Sequence, residues 1–206
     1  MHLNKLFYQP MWADMLSELD DDHLVQITDF CLAQSLLSDG RKFSNKGGWQ
    51  SNDYSFNDLK NTPIELLLHV IMGKLNECMG ELDSQIQLEY ESIWINVNKK
   101  EDSNAVHTHS GVLSGVFYIK VPDPSSRIFF TREYDLHQWF YGSIGSLNCT
   151  EATSPRTYIS PLDKLLLIFP SWMPHGVQPN PSDENRISIS FNTQLKSNVN
   201  FKESIC

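Results

Sequence analysis

The spacing of apolar residues changes once along this chain, near residue 85, and that change restricts the fold more than any other feature. Before it the spacing is helical. Asp20–Asp22 precede Leu24, Ile27, Phe30 or Cys31, and Leu36 or Leu37, which predicts an amphipathic helix ended by Gly40, with its acids at the positive end of the helix dipole. A loop rich in Gly, Ser and Asn follows (Ser44–Asn57). Thr62-Pro63-Ile64-Glu65 then predicts a capping box with Pro in the first helical position, and Ile64, Leu67 or Leu68, Ile71, Leu75, Met79 and Leu82 continue a second helix. From Gln85 the period is two. Strands are predicted over Gln85–Val97, Val112–Val121, Arg127–Phe130, Thr157–Ser160, Asp163–Phe169 and Arg186–Gln194. Helices first and strands afterwards, with Pro- and Gly-marked turns, imply a sandwich or barrel rather than a βαβ sheet.

No Pro/Gly/Ser linker separates the two halves, and 206 residues fit one domain, so residues 1–84 are read as a helical packing region on a β-core of residues 85–195. Sixteen basic against 25 acidic side chains, a net charge of −9, disfavour a nucleic-acid partner, because no Lys/Arg cluster compensates. The longest wholly apolar run, Leu165–Phe169, is far short of a membrane span, and the first residues lack the charged-then-apolar order of a signal peptide, so the expected location is the cytoplasm with no membrane partner. Cys31, Cys78, Cys149 and Cys206 have no short pairing and are read as free thiols. Nothing in the sequence bears on the oligomeric state.

Three of the seven histidines stand in suggestive places. His107 and His109 are two apart, so on a strand both rings leave one face, near enough to share a metal ion. His175 follows the apolar strand Leu165–Phe169, in Pro174-His175-Gly176. An H-x-H pair alone is a weak signal, since hydrogen-bonded surface or core histidines are the commoner explanation. His2, His23, His69 and His137 have no partner at ligand spacing and are taken as structural or solvated. In Arg186–Asn192 the apolar Ile187, Ile189 and Phe191 share one face while Arg186, Ser188, Ser190 and Asn192 share the other. On a covered sheet this polar row lines a pocket; on an exposed one it is an ordinary surface. An Arg fork with a neighbouring hydroxyl suits a small carboxylate.

H-x-H, a third histidine 66 residues after His109, Arg186 after ten intervening residues and Ser188 two further on resemble the Fe(II)/2-oxoglutarate dioxygenase superfamily. Within it the chain is similar to a small group of 2OG-Fe(II) oxygenases of marine bacteria and phages. The similarity runs through Leu6-Phe7 to Trp12, Gly47–Ser51, Trp94–Val97, His107-Thr108-His109, Ser114–Tyr118, Phe169–Trp172 and Arg186–Asn192. The resemblance implies a double-stranded β-helix core, jelly-roll and cupin-like, mainly β with N-terminal helices. It also implies Fe(II) on His107, His109 and His175, and 2-oxoglutarate held at its distal carboxylate by Arg186 and Ser188, with Asn96 and Tyr118 as cofactor neighbours. For the last two, strand hydrogen bonding and core packing are equal alternatives.

One position departs from the superfamily pattern, which has a carboxylate where this chain has His109. Either the metal takes three imidazoles, or His109 stands aside and water, halide or a distant acid fills the place; the smaller group carries H-x-H itself, which implies three-histidine ligation. The implied reaction couples decarboxylation of 2-oxoglutarate to succinate with hydroxylation of a small-molecule or peptide substrate. Two other readings are a cupin-like three-histidine metalloenzyme that does not use 2-oxoglutarate and a non-catalytic β-helix binding module. The segment Thr131–Arg156, with Tyr134, Trp139, Phe140 and Tyr141 and with Gly142 and Gly145 as hinges, is expected to be a substrate-covering lid.

Overall fold

Alternation in the second half of the chain builds long antiparallel strands; the first half supplies two helices that cover them and also three short edge strands, so residues 1–84 are not a purely helical packing region. The computed structural model describes residues 9–82, 84–132 and 154–196. Its helices are α1 (Asp21–Leu37) and α2 (Ile64–Glu81). The strands are β1 (Trp12–Met15), β2 (Asn45–Lys46), β3 (Trp49–Gln50), β4 (Leu88–Asn98), β5 (Ser103–His107), β6 (Leu113–Lys120), β7 (Ile128–Thr131), β8 (Arg156–Ile159), β9 (Leu165–Pro170), β10 (His175–Val177) and β11 (Arg186–Leu195). Among the described residues they form a six-stranded sheet, in the order β1-β9-β6-β11-β4-β3, and a five-stranded sheet, in the order β2-β5-β10-β7-β8. This is the double-stranded β-helix.

Strand β11 lies between β4 and β6, so both its edges are paired. Ile187, Ile189 and Phe191 pack outward with Ile93, Ile95, Val97 and Phe117 against Leu24 and Ile27 of α1 and Leu67, Leu68, Ile71 and Leu75 of α2. A second cluster, Val116, Tyr118, Ile128, Phe130, Leu165, Leu167 and Phe169, joins strands of the two sheets. The polar row of β11 is left to line the cavity, with Ser188 in register between Asn96 and Tyr118, and Ser190 between Trp94 and Val116. Gly115 is needed in β6: a Cβ there would stand 2.3 Å from the Phe191 ring and 2.7 Å from the Leu167 carbonyl oxygen.

Several local expectations need correction. Helix α1 starts on the Asp20 N-cap, but it stops at Leu37 before Gly40, and Leu36 and Leu37 are 86% and 76% exposed rather than part of its apolar face. Leu82 is the C-cap of α2 and also exposed, while Cys78 joins the buried face. The Thr62–Glu65 capping box does not form: the Thr62 hydroxyl turns back to donate to the Leu59 carbonyl at 2.7 Å, and the Glu65 carboxylate accepts from the Asn61 N–H at 2.8 Å. A reciprocal box stands instead at Ser55 and Asp58, heading the 3-10 turn Phe56–Leu59. The loop Ser44–Asn57 contains β2 and β3, each too short to have a period. Within the expected lid, residues 133–153, with all its aromatics and both glycines, lie outside the described residues, as do Leu6, Phe7, His2, His137, Cys149 and Cys206. Cys31 and Cys78 are buried free thiols.

Candidate active site

His107 ends β5 and His175 begins β10, and the two are direct cross-strand partners in the five-stranded sheet. Their rings lie 4.5 Å apart by centroid. Both orient in the same way. His107 Nδ1–H donates to the Ala105 carbonyl at 2.8 Å and His175 Nδ1–H to the Met173 carbonyl at 2.9 Å, which leaves each Nε2 unprotonated, an acceptor. The Ser44 hydroxyl lies 3.4 Å from His107 Nε2 and is its donor.

His109 stands two residues past the end of β5, and its ring meets that of His107 as the H-x-H spacing predicts. Its backbone N–H donates to the Ser171 carbonyl at 2.9 Å, and its ring packs 5.5 Å from Trp94. Ser171 is tied through the Ser114 hydroxyl to Asn192, each link 2.8 Å, so the polar row of β11 anchors the loop that carries His109. The His109 ring then lies 4.8 Å from that of His107 and 5.1 Å from that of His175.

One potential ligand atom from each of the three histidines lies within 4.8 Å of the others. Three nitrogens on one ion at about 2.1 Å lie about 3.0–3.6 Å from one another, so the rings must close by about 1–2 Å at most to share it. Burial holds His107 below the usual imidazole range. Burial, with His107 beside it, brings His109 down to about 4, and burial, with His107 again next in effect, brings His175 down to about 3 against the pull of the Met173 carbonyl. All three are neutral lone-pair donors at pH 7, the state a metal requires. They fit Fe(II). His23 and His69 are elsewhere: His23 bonds the Pro63 carbonyl and His69 packs edge-on to Phe56.

The three histidines share a cavity of about 900 Å³ with Arg186, Ser188, Asn96 and Tyr118. Arg186 begins β11 and is 2% exposed. Its guanidinium donates to the Ser126 hydroxyl and to Asn98 Oδ1, the latter at 2.9 Å, while Nε has no partner. Burial lowers its pKa, yet an arginine so placed keeps its charge. Tyr118 is pushed up to about 12, burial outweighing the opposite pull of Arg186, and stays a neutral phenol. Asn96 donates to the Ser190 hydroxyl at 3.1 Å. The candidate site residues named from the sequence therefore come together in one cavity, as do Ser44, Trp94 and Asn192. Asn98 and Ser126, which hold Arg186, had not been singled out. Asn98 could have been found, because it continues the every-second-residue row from Asn96; Ser126 sits in an irregular loop and carries no sequence signal.

The double-stranded β-helix and the imidazole cluster together define a jelly-roll metalloprotein. Residues 92–192, which carry the three histidines and Arg186, match the family described as "Putative 2OG-Fe(II) oxygenase". No curated protein matches it. Among solved structures, a prolyl-4-hydroxylase of Pseudomonas putida is 10% identical, with a TM-score of 0.66 over 92% of this chain and 94% of that one. The epimerase SnoN in complex with Fe3+, alpha ketoglutarate and nogalamycin RO is 12% identical, with a TM-score of 0.62 over 90% of this chain and 79% of that one. The viral collagen prolyl hydroxylase of Paramecium Bursaria Chlorella virus-1, in its 2OG complex, is 12% identical, with a TM-score of 0.57 over 89% of this chain and 96% of that one. At these identities the likeness is one of fold. Fe(II) and 2-oxoglutarate are the family's cofactors, and neither the cupin-like alternative nor the non-catalytic module is favoured.

Proposed function

We propose that this oxygenase hydroxylates a small-molecule or peptide substrate, with Fe(II) on Nε2 of His107 and His175 and on the ring of His109, and with 2-oxoglutarate anchored at its distal carboxylate by Arg186. Bound Fe(II) and 2-oxoglutarate would supply the oxidation: 2-oxoglutarate would lose CO₂ and take up one oxygen atom of O₂ to become succinate, and the other oxygen atom would enter a substrate C–H bond. The chain's own part is to orient both and keep water out. Arg186 donates a charge-assisted pair of hydrogen bonds, Ser188 a neutral one, and the Tyr118 phenol and Asn96 amide flank the molecule along the cavity wall. The chain is read as one domain. We place it in the cytoplasm, a reading supported by the buried free thiols Cys31 and Cys78; no helix among the described residues is long and apolar enough to cross a membrane.

The observation that carries this reading is the state of Arg186. It is a fully buried cation in the cavity of the imidazole cluster, and among the described residues no carboxylate forms an ion pair with it. A buried charge without a counter-charge costs several kcal/mol, and a bound dicarboxylate removes that cost. Calorimetric titration with 2-oxoglutarate, Mn(II) replacing Fe(II), tests it. Arg186→Ala is expected to weaken 2-oxoglutarate by more than about tenfold, since losing a buried charge-assisted pair costs on the order of 2–5 kcal/mol. Arg186→Lys retains charge without the fork and falls between, and Ser188→Ala acts in the same direction more weakly. Mn(II) affinity should stay level throughout. Unchanged 2-oxoglutarate affinity in Arg186→Ala removes Arg186 from the site.

A further inference from the structure

The groups that hold Arg186 are both neutral. Nη2 donates to Asn98 Oδ1 at 2.9 Å and Nη1 to the Ser126 hydroxyl. Arginine only donates, so the Asn98 amide must face it with oxygen. Asn98 is itself closely fixed. It is 2% exposed and pairs with Arg186 across β4 and β11, and its backbone carbonyl accepts from Asn180 Nδ2 at 3.2 Å. From the other side Gly48 turns past it at φ +62°, where a Cβ would stand 2.8 Å from Asn98 Nδ2. Ser126 is equally buried, in the loop between β6 and β7. Asp102 has an electrostatic influence on Arg186, but it accepts the Lys99 N–H at 2.6 Å in the exposed turn after β4 and makes no hydrogen bond to the guanidinium.

We propose that Asn98 and Ser126 are positioning residues for the acidic co-substrate: they fix the plane of the Arg186 guanidinium with neutral acceptors and so leave its charge for the distal carboxylate of a dicarboxylate. This rests on the reading that Arg186 anchors 2-oxoglutarate. The choice of amide over carboxylate at position 98 is what the inference explains. Aspartate has the same shape and would accept the same hydrogen bond, but it would cancel the charge and compete permanently with the ligand. Orientation alone would be served by either residue; an available charge is served only by asparagine.

Asn98→Asp, Asn98→Ala, Ser126→Ala and Arg186→Ala, each loaded with Mn(II), are titrated with 2-oxoglutarate by calorimetry and melted without it. Asn98→Asp is expected to lose at least about tenfold in 2-oxoglutarate affinity while Mn(II) affinity and the melting temperature of the 2-oxoglutarate-free protein are unchanged or higher. Asn98→Ala and Ser126→Ala are expected to lose about three- to tenfold, as each removes one acceptor from a charged donor. Wild-type 2-oxoglutarate affinity in folded Asn98→Asp overturns the proposal, and so does a parallel loss of Mn(II) affinity, which would mark general damage to the cavity. If Asn98→Asp does not fold, unchanged affinity in both Asn98→Ala and Ser126→Ala overturns it. Arg186→Ala separates the two levels. Loss there with none in Asn98→Asp rejects the positioning role alone, whereas full affinity in Arg186→Ala rejects the anchor on which it rests.

Discussion

His175 is held by neighbours that do not depend on a metal. It pairs with His107 on one side and Phe130 on the other, and its Nδ1–H is satisfied by the Met173 carbonyl. His175→Ala therefore removes a ligand while the strand remains, and metal affinity should fall by more than the 10–100-fold typical of losing an outer-shell partner. Near-native circular dichroism with full Fe(II) or Mn(II) affinity would contradict the ligand assignment. His109→Asp tests the position that departs from the superfamily pattern. Iron binding should survive, because a carboxylate is also a competent ligand, but turnover coupled to 2-oxoglutarate should change with the charge on the metal. Iron content and turnover both indifferent to the change would exclude His109 from the ligand set. At this scale the sequence was informative where chemistry selects the residue type, as at His107, His175 and Arg186. It was informative at His109 too, whose ring meets that of His107 as the spacing implies and which is held by the Ser171 carbonyl and the Trp94 ring. Asn98 and Ser126 were passed over because an amide or a hydroxyl has too many ordinary uses for its type to be diagnostic.

Strand β11 shows why long elements are legible and short ones are not. Seven residues of alternation, Arg186–Asn192, imply one polar and one apolar face, and the apolar face is indeed buried against the helices. The five residues of β5, all of intermediate exposure, and the two or three of β2, β3 and β10 have no period to read; long-range pairing creates them. The outward face of β11 stabilises the sheet and the inward face carries the site, so substitutions on the two faces should separate. Ile189 is fully buried between Ile95 and Phe117, and Ile189→Ala should cost about 2–5 kcal/mol in denaturant unfolding. Gly115→Ala, which drives a methyl into the Phe191 ring and the Leu167 carbonyl, should cost about 1–3 kcal/mol. Ser190→Ala on the inward face should cost much less. A Ser190→Ala penalty as large as that of Ile189→Ala would mean that the polar row is a structural core rather than a cavity lining.

On the scale of the whole molecule, the two ends of the proposed 2-oxoglutarate site belong to different sheets. His107 and His175 come from the five-stranded sheet, whereas Arg186 comes from the six-stranded one. A ligand that touches both the metal and Arg186 bridges them, so its stabilising effect should depend on the metal. At a free concentration of 100 times its dissociation constant, a ligand that binds only the folded state adds about 2.7 kcal/mol, enough to read as a shift in melting temperature. Four melts decide the matter: the protein alone, with Mn(II), with 2-oxoglutarate, and with both. The shift with both should exceed the sum of the separate shifts, because either ligand prepares the cavity for the other. Succinate has the distal carboxylate but no keto acid to reach the metal, so its shift should be smaller and nearly the same with or without Mn(II). A 2-oxoglutarate shift that ignores Mn(II) would mean that Arg186 and the imidazole cluster do not hold the same molecule, and that the cavity binds its acid and its metal independently.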